Sequence, residues 1–225
     1  MLKNIKGAIF DMDGTLIDSL MIWSIVWDKF GRLFCKDGRF APSLEDDKEI
    51  RTMTLRDSMN FIHRQYNLGE SGDDLLEKLN KILVDFYSQE VKLKDGVAEF
   101  LEYCYNKGMK MCIASATDTK FIKIAVKHCN IEKYFENILS CAEIGKGKDH
   151  PDIYIKAQEC LGTEREETCV FEDSHIALHT ADKLGMKTVG IYDKYNYGQE
   201  EMEKIATVYI PEGETLKKLI DSNFI

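Results

Sequence analysis

Phe10-Asp11-Met12-Asp13-Gly14-Thr15-Leu16-Ile17-Asp18-Ser19 continues the short apolar run Ala8-Ile9-Phe10. A brief apolar run bounded by turn residues suits a buried strand, so the two acids stand at its carboxyl end. Gly14 permits a tight turn there, and Thr15 offers a hydroxyl donor. Two carboxylates so close cannot share a dry site unless one pKa rises or a cation joins them. An oxygen-rich pair of this kind suits Mg²⁺. A bare Asp-x-Asp is equally what a solvated loop contains, so its meaning depends on the rest of the chain.

Working outward, further short apolar runs occur at Lys110 to Ala114, Asn137 to Ser140, Thr168 to Phe171, Thr188 to Ile191 and Val208 to Ile210. From residue 93 they alternate with helical patterns at Val97 to Asn106, Thr119 to His128, Asp152 to Leu161, Ser174 to Leu184, Gln199 to Ile205 and Glu214 to Ile220. Strand and helix in alternation predict an α/β fold with a parallel sheet. Residues 16–92 read instead as helix throughout, with no convincing strand. Leu20, Trp23, Trp27, Phe30 and Phe34 follow helical spacing, as do Leu75, Leu79, Ile82 and Phe86, and such stripes are packing faces. A connection of this length far exceeds a βα loop and predicts an inserted helical domain. Ligands bind at the carboxyl ends of parallel strands, so an insertion leaving the first strand there is expected to act as a lid.

The chain has 225 residues, and its 39 acidic against 30 basic residues give a formal charge of −9. That field disfavours nucleic acid and anionic membranes as partners. A small anionic substrate remains compatible with it, because a metal ion and a few lysines can reverse the sign within one pocket. Seven scattered cysteines without a Cys-x-x-Cys pair fit reduced thiols better than a disulfide framework or a zinc site. No apolar run approaches the roughly 18 residues of a membrane span, and a cytoplasmic protein is expected, as a monomer or small homo-oligomer.

Taken whole, residues 10–19 resemble the first signature of the haloacid dehalogenase-like hydrolase superfamily, in the branch with a helical cap after strand one. Three later segments resemble its other signatures, in order. They are Ile113-Ala114-Ser115-Ala116-Thr117, Lys146-Gly147-Lys148-Asp149-His150-Pro151-Asp152, and Val170-Phe171-Glu172-Asp173-Ser174. The resemblance implies a Rossmann-like core from residues 1–15 and 93–225, and an all-helical cap from residues 16–92. It implies that Asp11 is a nucleophile forming an aspartyl phosphate and that Asp13 is the general acid and base, its backbone carbonyl also offered to Mg²⁺. Ser115, the Ala116 amide and Thr15 would hold phosphoryl oxygens. Lys148 would neutralise Asp11 and the transferring group, and Asp173 and Glu172 would complete the metal site with Asp11 and Asp13.

Dehalogenases of the superfamily lack an aspartate at the Asp13 position, which leaves phosphatase and phosphomutase chemistry on a small phosphorylated metabolite. Over the cap the chain is most similar to the β-phosphoglucomutase-like group. Arg51, Thr54 and Arg56 lie in the segment matching its substrate-reading loop. Thr52 stands where the mutases carry a hinge glycine, and Leu55 where they carry an arginine for the substrate's far phosphate. Both departures favour a phosphatase over a mutase. A non-catalytic binding module is the third reading, disfavoured by the presence of Asp11, Asp13, Ser115, Lys148 and Asp173 together.

Overall fold

A computed structural model describes Leu2, residues 4–50 and residues 53–221. The chain divides into two compact units, Met1–Leu20 with Val91–Ile225, and Met21–Glu90. The first is built on a sheet of six parallel strands. In chain order these are β1 (Gly7–Phe10), β4 (Lys110–Ser115), β5 (Asn137–Ser140), β6 (Thr168–Glu172), β7 (Lys187–Ile191) and β8 (Val208–Ile210). Their spatial order is β5-β4-β1-β6-β7-β8. β1 therefore lies at the centre, with Phe10 in register with Ile113 on one side and Phe171 on the other. The chain passes from β1 outward through β4 and β5, then returns to β6. The crevice between β1 and β6 is thus the topological switch point where ligands bind in such sheets.

Helices α5 (Val97–Asn106), α6 (Thr119–His128), α7 (Cys141–Ile144), α8 (Asp152–Leu161), α9 (His175–Lys183), α10 (Gln199–Ile205) and α11 (Lys217–Asp221) complete this unit. Successive side chains of β1 serve opposite faces. Ile9 joins Cys112, Val170, Tyr154, Ala157 and Ala181 in one buried cluster. Phe10 stacks on Phe171 with ring centroids 4.4 Å apart, and Phe100 lies against both. Because both faces are covered, β1, β4 and β6 are apolar along nearly their whole length, the pattern that marks them in the sequence.

Two expectations need correction. Residues 16–92 are not free of strand: β2 (Ile17–Asp18) pairs antiparallel with β3 (Lys92–Leu93), in register Ile17↔Leu93. Two-residue strands are too short to show any alternation. The last helix begins at Lys217 rather than Glu214, since Pro211 and Gly213 occupy a turn in which the Glu214 amide bonds the Pro211 carbonyl.

The second unit carries α1 (Ile22–Phe34), α2 (Leu44–Ile50), α3 (Leu55–Tyr66) and α4 (Gly72–Asp85), followed by a π-helical turn over Phe86–Glu90. Trp27 stacks on Trp23 and meets Phe30 edge-on, and Leu75, Leu79 and Ile82 are buried. Thr54 and Ser71 cap α3 and α4, accepting from the backbone amides of Asp57 and Asp74. Among the described residues no helix is long and apolar enough to cross a membrane, and all seven cysteines are free.

Candidate active site

The site begins where β1 ends. The Asp11 amide donates to the Phe171 carbonyl at 2.9 Å, which extends the β1–β6 pairing by one bond and sets Asp11 beside the tip of β6. Beyond it the chain coils around one carbonyl: the amides of Thr15, Leu16 and Ile17 all donate to Met12 O. Gly14 takes φ +82° in this turn. A Cβ built there would stand 2.3 Å from Asp173 Oδ2, so the absence of a side chain lets the turn lie against that carboxylate.

Asp11, Glu172 and Asp173 are 6%, 1% and 3% exposed. Each offers an oxygen within 4.8 Å of the others. Lys148, from the loop between α7 and α8, donates to Asp11 Oδ1 and, at 2.5 Å, to Glu172 Oε1. Burial opposes the charge of this ammonium, but Asp11 and Glu172 more than offset it and hold the pKa above the ordinary lysine value. Burial pushes Glu172 up to about 7 despite Lys148. Asp173 is pushed well above the carboxylate range by burial and by its neighbours Asp11 and Glu172. One lysine among three buried acids leaves the cluster short of positive charge. A buried set made only of carboxylate oxygens, at this spacing, fits a hard divalent cation such as Mg²⁺.

Asp13 is half-buried and held at both oxygens. Ser19 Oγ donates to Oδ1 at 2.6 Å, and Thr117 Oγ1 donates to Oδ2 at 2.7 Å. Thr117 follows the end of β4, and its carbonyl accepts from Ser140 Oγ at the end of β5. Three parallel strands thereby fix the direction of one carboxylate. Ser115 is buried and its Oγ accepts from the Thr117 amide, while Ala116 is exposed. Thr15 is fully buried, with its hydroxyl 3.3 Å from Asp173 Oδ1. This threonine, expected at phosphoryl oxygens, thus lies against a carboxylate.

Other partners had no signal in the sequence. Tyr154 OH donates to Glu172 Oε1 at 2.9 Å. Asn196, 23 residues beyond Asp173, donates from Nδ2 to the Asp173 carbonyl at 3.0 Å and to its Oδ2 at 2.8 Å. Ser19 and Thr117 sit inside the motif segments, but nothing in their spacing points at Asp13.

The candidates in the helical unit have local partners. Arg56 pairs with Asp73, both well exposed, and the Thr54 hydroxyl donates to Asp57 Oδ2 at 2.7 Å. Arg51 and Thr52 lie outside the described residues.

Buried carboxylates meeting a lysine at the switch point of a parallel sheet define a class of cation-competent α/β sites. The chain belongs to the haloacid dehalogenase-like hydrolases, whose family model matches residues 8–191. It is 24% identical over 216 residues to a phosphorylated carbohydrates phosphatase of Thermotoga maritima, covering 95% of this chain and 98% of that one. It is also 24% identical over 217 residues to a phosphoglycolate phosphatase of Salmonella typhi, covering 88% and 85%. Among solved structures, a candidate β-phosphoglucomutase from Thermotoga maritima superposes with a TM-score of 0.79 at 23% identity, covering 96% of this chain and 99% of that one.

Proposed function

We propose that this protein is a Mg²⁺-dependent phosphatase that hydrolyses a small phosphorylated metabolite through an aspartyl phosphate on Asp11. The observation that carries the reading is the convergence of Asp11, Lys148, Glu172 and Asp173 at the ends of β1 and β6. The names of its relatives, phosphatases acting on phosphorylated carbohydrates and on phosphoglycolate, support the same chemistry.

In the first step an Asp11 carboxylate oxygen attacks phosphorus, and the bond from phosphorus to the ester oxygen breaks. Asp13 gives its proton to the departing oxygen, so the alcohol leaves neutral. In the second step Asp13 takes a proton from water as that water attacks the phosphoryl group. The Asp11–phosphorus bond breaks, and inorganic phosphate leaves. Ser19 and Thr117 aim Asp13, since each fixes one of its oxygens. Lys148 offsets the charge of Asp11 so that an anion can approach an anion. Asp11, Glu172 and Asp173, with the Asp13 backbone carbonyl, would hold Mg²⁺. Bound there, the cation supplies charge neutralisation and orientation of the phosphoryl group.

Ser115 and the Ala116 amide bind the phosphoryl oxygens, and residues 16–92 serve as the cap domain inserted in the 1–15 and 93–225 core. Its insertion directly after the strand bearing Asp11 supports that role. Arg51 and Arg56 contact the part of the substrate that distinguishes one metabolite from another.

Assaying p-nitrophenyl phosphate and a panel of phosphorylated metabolites, with Mg²⁺ and with EDTA, tests the reading. Metal-dependent phosphate release that disappears in Asp11→Asn is the expected result. Conversion of β-glucose 1-phosphate to glucose 6-phosphate without net phosphate release would make the protein a mutase. No activity above the variant on any substrate would make it a binding module.

A further inference from the structure

Lys94 follows β3 and is one of the few lysines of the α/β unit whose ammonium is largely withdrawn from water, its side chain 20% exposed. All three of its donors are engaged: Gly14 O at 2.7 Å, Tyr192 O at 2.9 Å and Asp193 Oδ2 at 2.9 Å. An ammonium has three hydrogens and no acceptor, so its hydrogen-bonding capacity is saturated by these partners. The backbone on which it sits is also anchored, because the Lys94 amide donates to Leu16 O at 3.0 Å.

The partners matter for what they hold. Gly14 is the residue whose missing side chain lets the Asp13 turn lie against Asp173 Oδ2. Its amide bonds Ile17 O and its carbonyl bonds Lys94, so both ends of this glycine are tied. Asp193, 4% exposed, opens the loop after β7. Its Oδ1 accepts from the Tyr195 amide, and its carbonyl accepts from the Asn196 amide and from Gln199 Nε2. Asn196 in turn grips Asp173 at both its carbonyl and its Oδ2. Two routes therefore run from one ammonium to one carboxylate: through Gly14, which walls it, and through the Asp193 loop, which hydrogen-bonds it.

We propose that Lys94 is a positioning residue that sets the affinity of the site for Mg²⁺ by fastening the Asp13 turn to the loop that orients Asp173. Lys94 touches neither Asp11 nor Asp173 and takes no part in proton or phosphoryl transfer. The proposal rests on the reading of Asp173 as a metal ligand. Removing a group that orients a metal ligand from behind typically costs 10- to 100-fold in metal affinity or activity, which makes the effect measurable.

The test is calorimetric titration of Mg²⁺ into the substrate-free full-length protein, with thermal unfolding to verify the fold. Lys94→Met is expected to weaken Mg²⁺ binding about 10-fold. In the phosphatase assay the Mg²⁺ concentration for half-maximal rate should rise equally, with substrate KM unchanged and kcat recovered at saturating Mg²⁺. Lys110→Met is the control. That lysine also donates to a backbone carbonyl, Leu161 O at 2.8 Å, but from the opposite end of the sheet, and its loss should leave Mg²⁺ affinity within about twofold, well short of the effect at a ligand-orienting group. A folded Lys94→Met protein that binds Mg²⁺ as tightly as the wild type overturns the proposal. Should that variant not fold, Asp193→Asn decides: weaker Mg²⁺ binding supports the proposal, and unchanged binding overturns it. A wild-type protein that binds Mg²⁺ but releases no phosphate refutes the phosphatase reading, and the calorimetry still judges Lys94. A wild-type protein that binds no Mg²⁺ overturns the Lys94 proposal itself.

Discussion

Both units of this chain carry exposed ion pairs, but the α/β unit also has buried ones. In the α/β unit Lys148 is buried between Asp11 and Glu172, and Lys94 is largely buried against Asp193. In the helical unit Arg56–Asp73 and Arg32–Asp28 sit in solvent with more than half of each side chain exposed. Exposed pairs are screened and contribute about 0–1 kcal/mol. Buried ones are costly to assemble, and breaking them by removing one partner costs several times more. A fold accepts that cost where the charges perform chemistry, so under the proposed phosphatase reading the buried charges of the α/β unit are the reactive ones, and the helical unit is proposed to discriminate substrates.

The strongest way to break this contrast is through catalysis. Asp11→Asn should lower kcat on p-nitrophenyl phosphate by on the order of 10⁴-fold or more. Asp13→Asn should lower it by about 10²- to 10⁴-fold at nearly unchanged KM. Retained turnover in either variant would move the chemistry elsewhere.

Next is stability. Lys148→Met leaves two buried carboxylates without their cation and should cost the metal-free protein about 3–5 kcal/mol in urea unfolding. A loss no larger than that of an exposed pair would mean that the cluster is more hydrated than its burial indicates.

The pH dependence is smaller and has a definite sign. Glu172 rises from 4.5 to about 7 in the folded protein, so the folded state holds its proton more tightly than the unfolded chain. That contribution is fully present below the unfolded value and is lost as pH rises through about 7. Metal-free wild type should therefore lose roughly 2 kcal/mol more than Glu172→Gln between pH 5 and pH 8, measured by urea unfolding across that range. Added Mg²⁺ competes with the proton, so its stabilising effect should grow over the same interval. Parallel curves for the two proteins would show that Glu172 is already ionised.

The smallest effect belongs to the helical unit. Arg56→Ala should change stability by under about 0.5 kcal/mol, and a change in KM for one metabolite of a panel but not for p-nitrophenyl phosphate would sharpen its role. If kcat fell instead for every substrate, the helical unit would be part of the chemistry.

Much of this was legible in the linear sequence. The apolar runs of β1, β4 and β6 announce themselves because both faces of a parallel sheet are covered, which removes the need for alternation. The motifs that hold Asp11, Ser115 and Asp173 then fall at strand ends, while the one that holds Lys148 falls in the loop between α7 and α8. The β2–β3 ribbon did not show, since two residues carry no period. The contact of the Thr15 hydroxyl with Asp173 did not show either, because composition and spacing identify a hydroxyl but not the direction in which a turn aims it.

The sequence by itself determined the α/β class, the helical insertion and the residue types available for phosphoryl chemistry, all of which depend on local pattern. Only the tertiary structure decided which groups hold which. Ser19 and Thr117 on Asp13, Tyr154 on Glu172, Asn196 on Asp173, and Lys94 between Gly14 and Asp193 are separated in the chain by up to 104 residues. Such pairs leave no periodicity to read. They are made by tertiary packing: the parallel register of β1, β4, β6 and β7 gathers the strand ends that carry Asp13, Thr117, Asp173 and Asn196, while α8 supplies Tyr154 and the turn after β3 supplies Lys94.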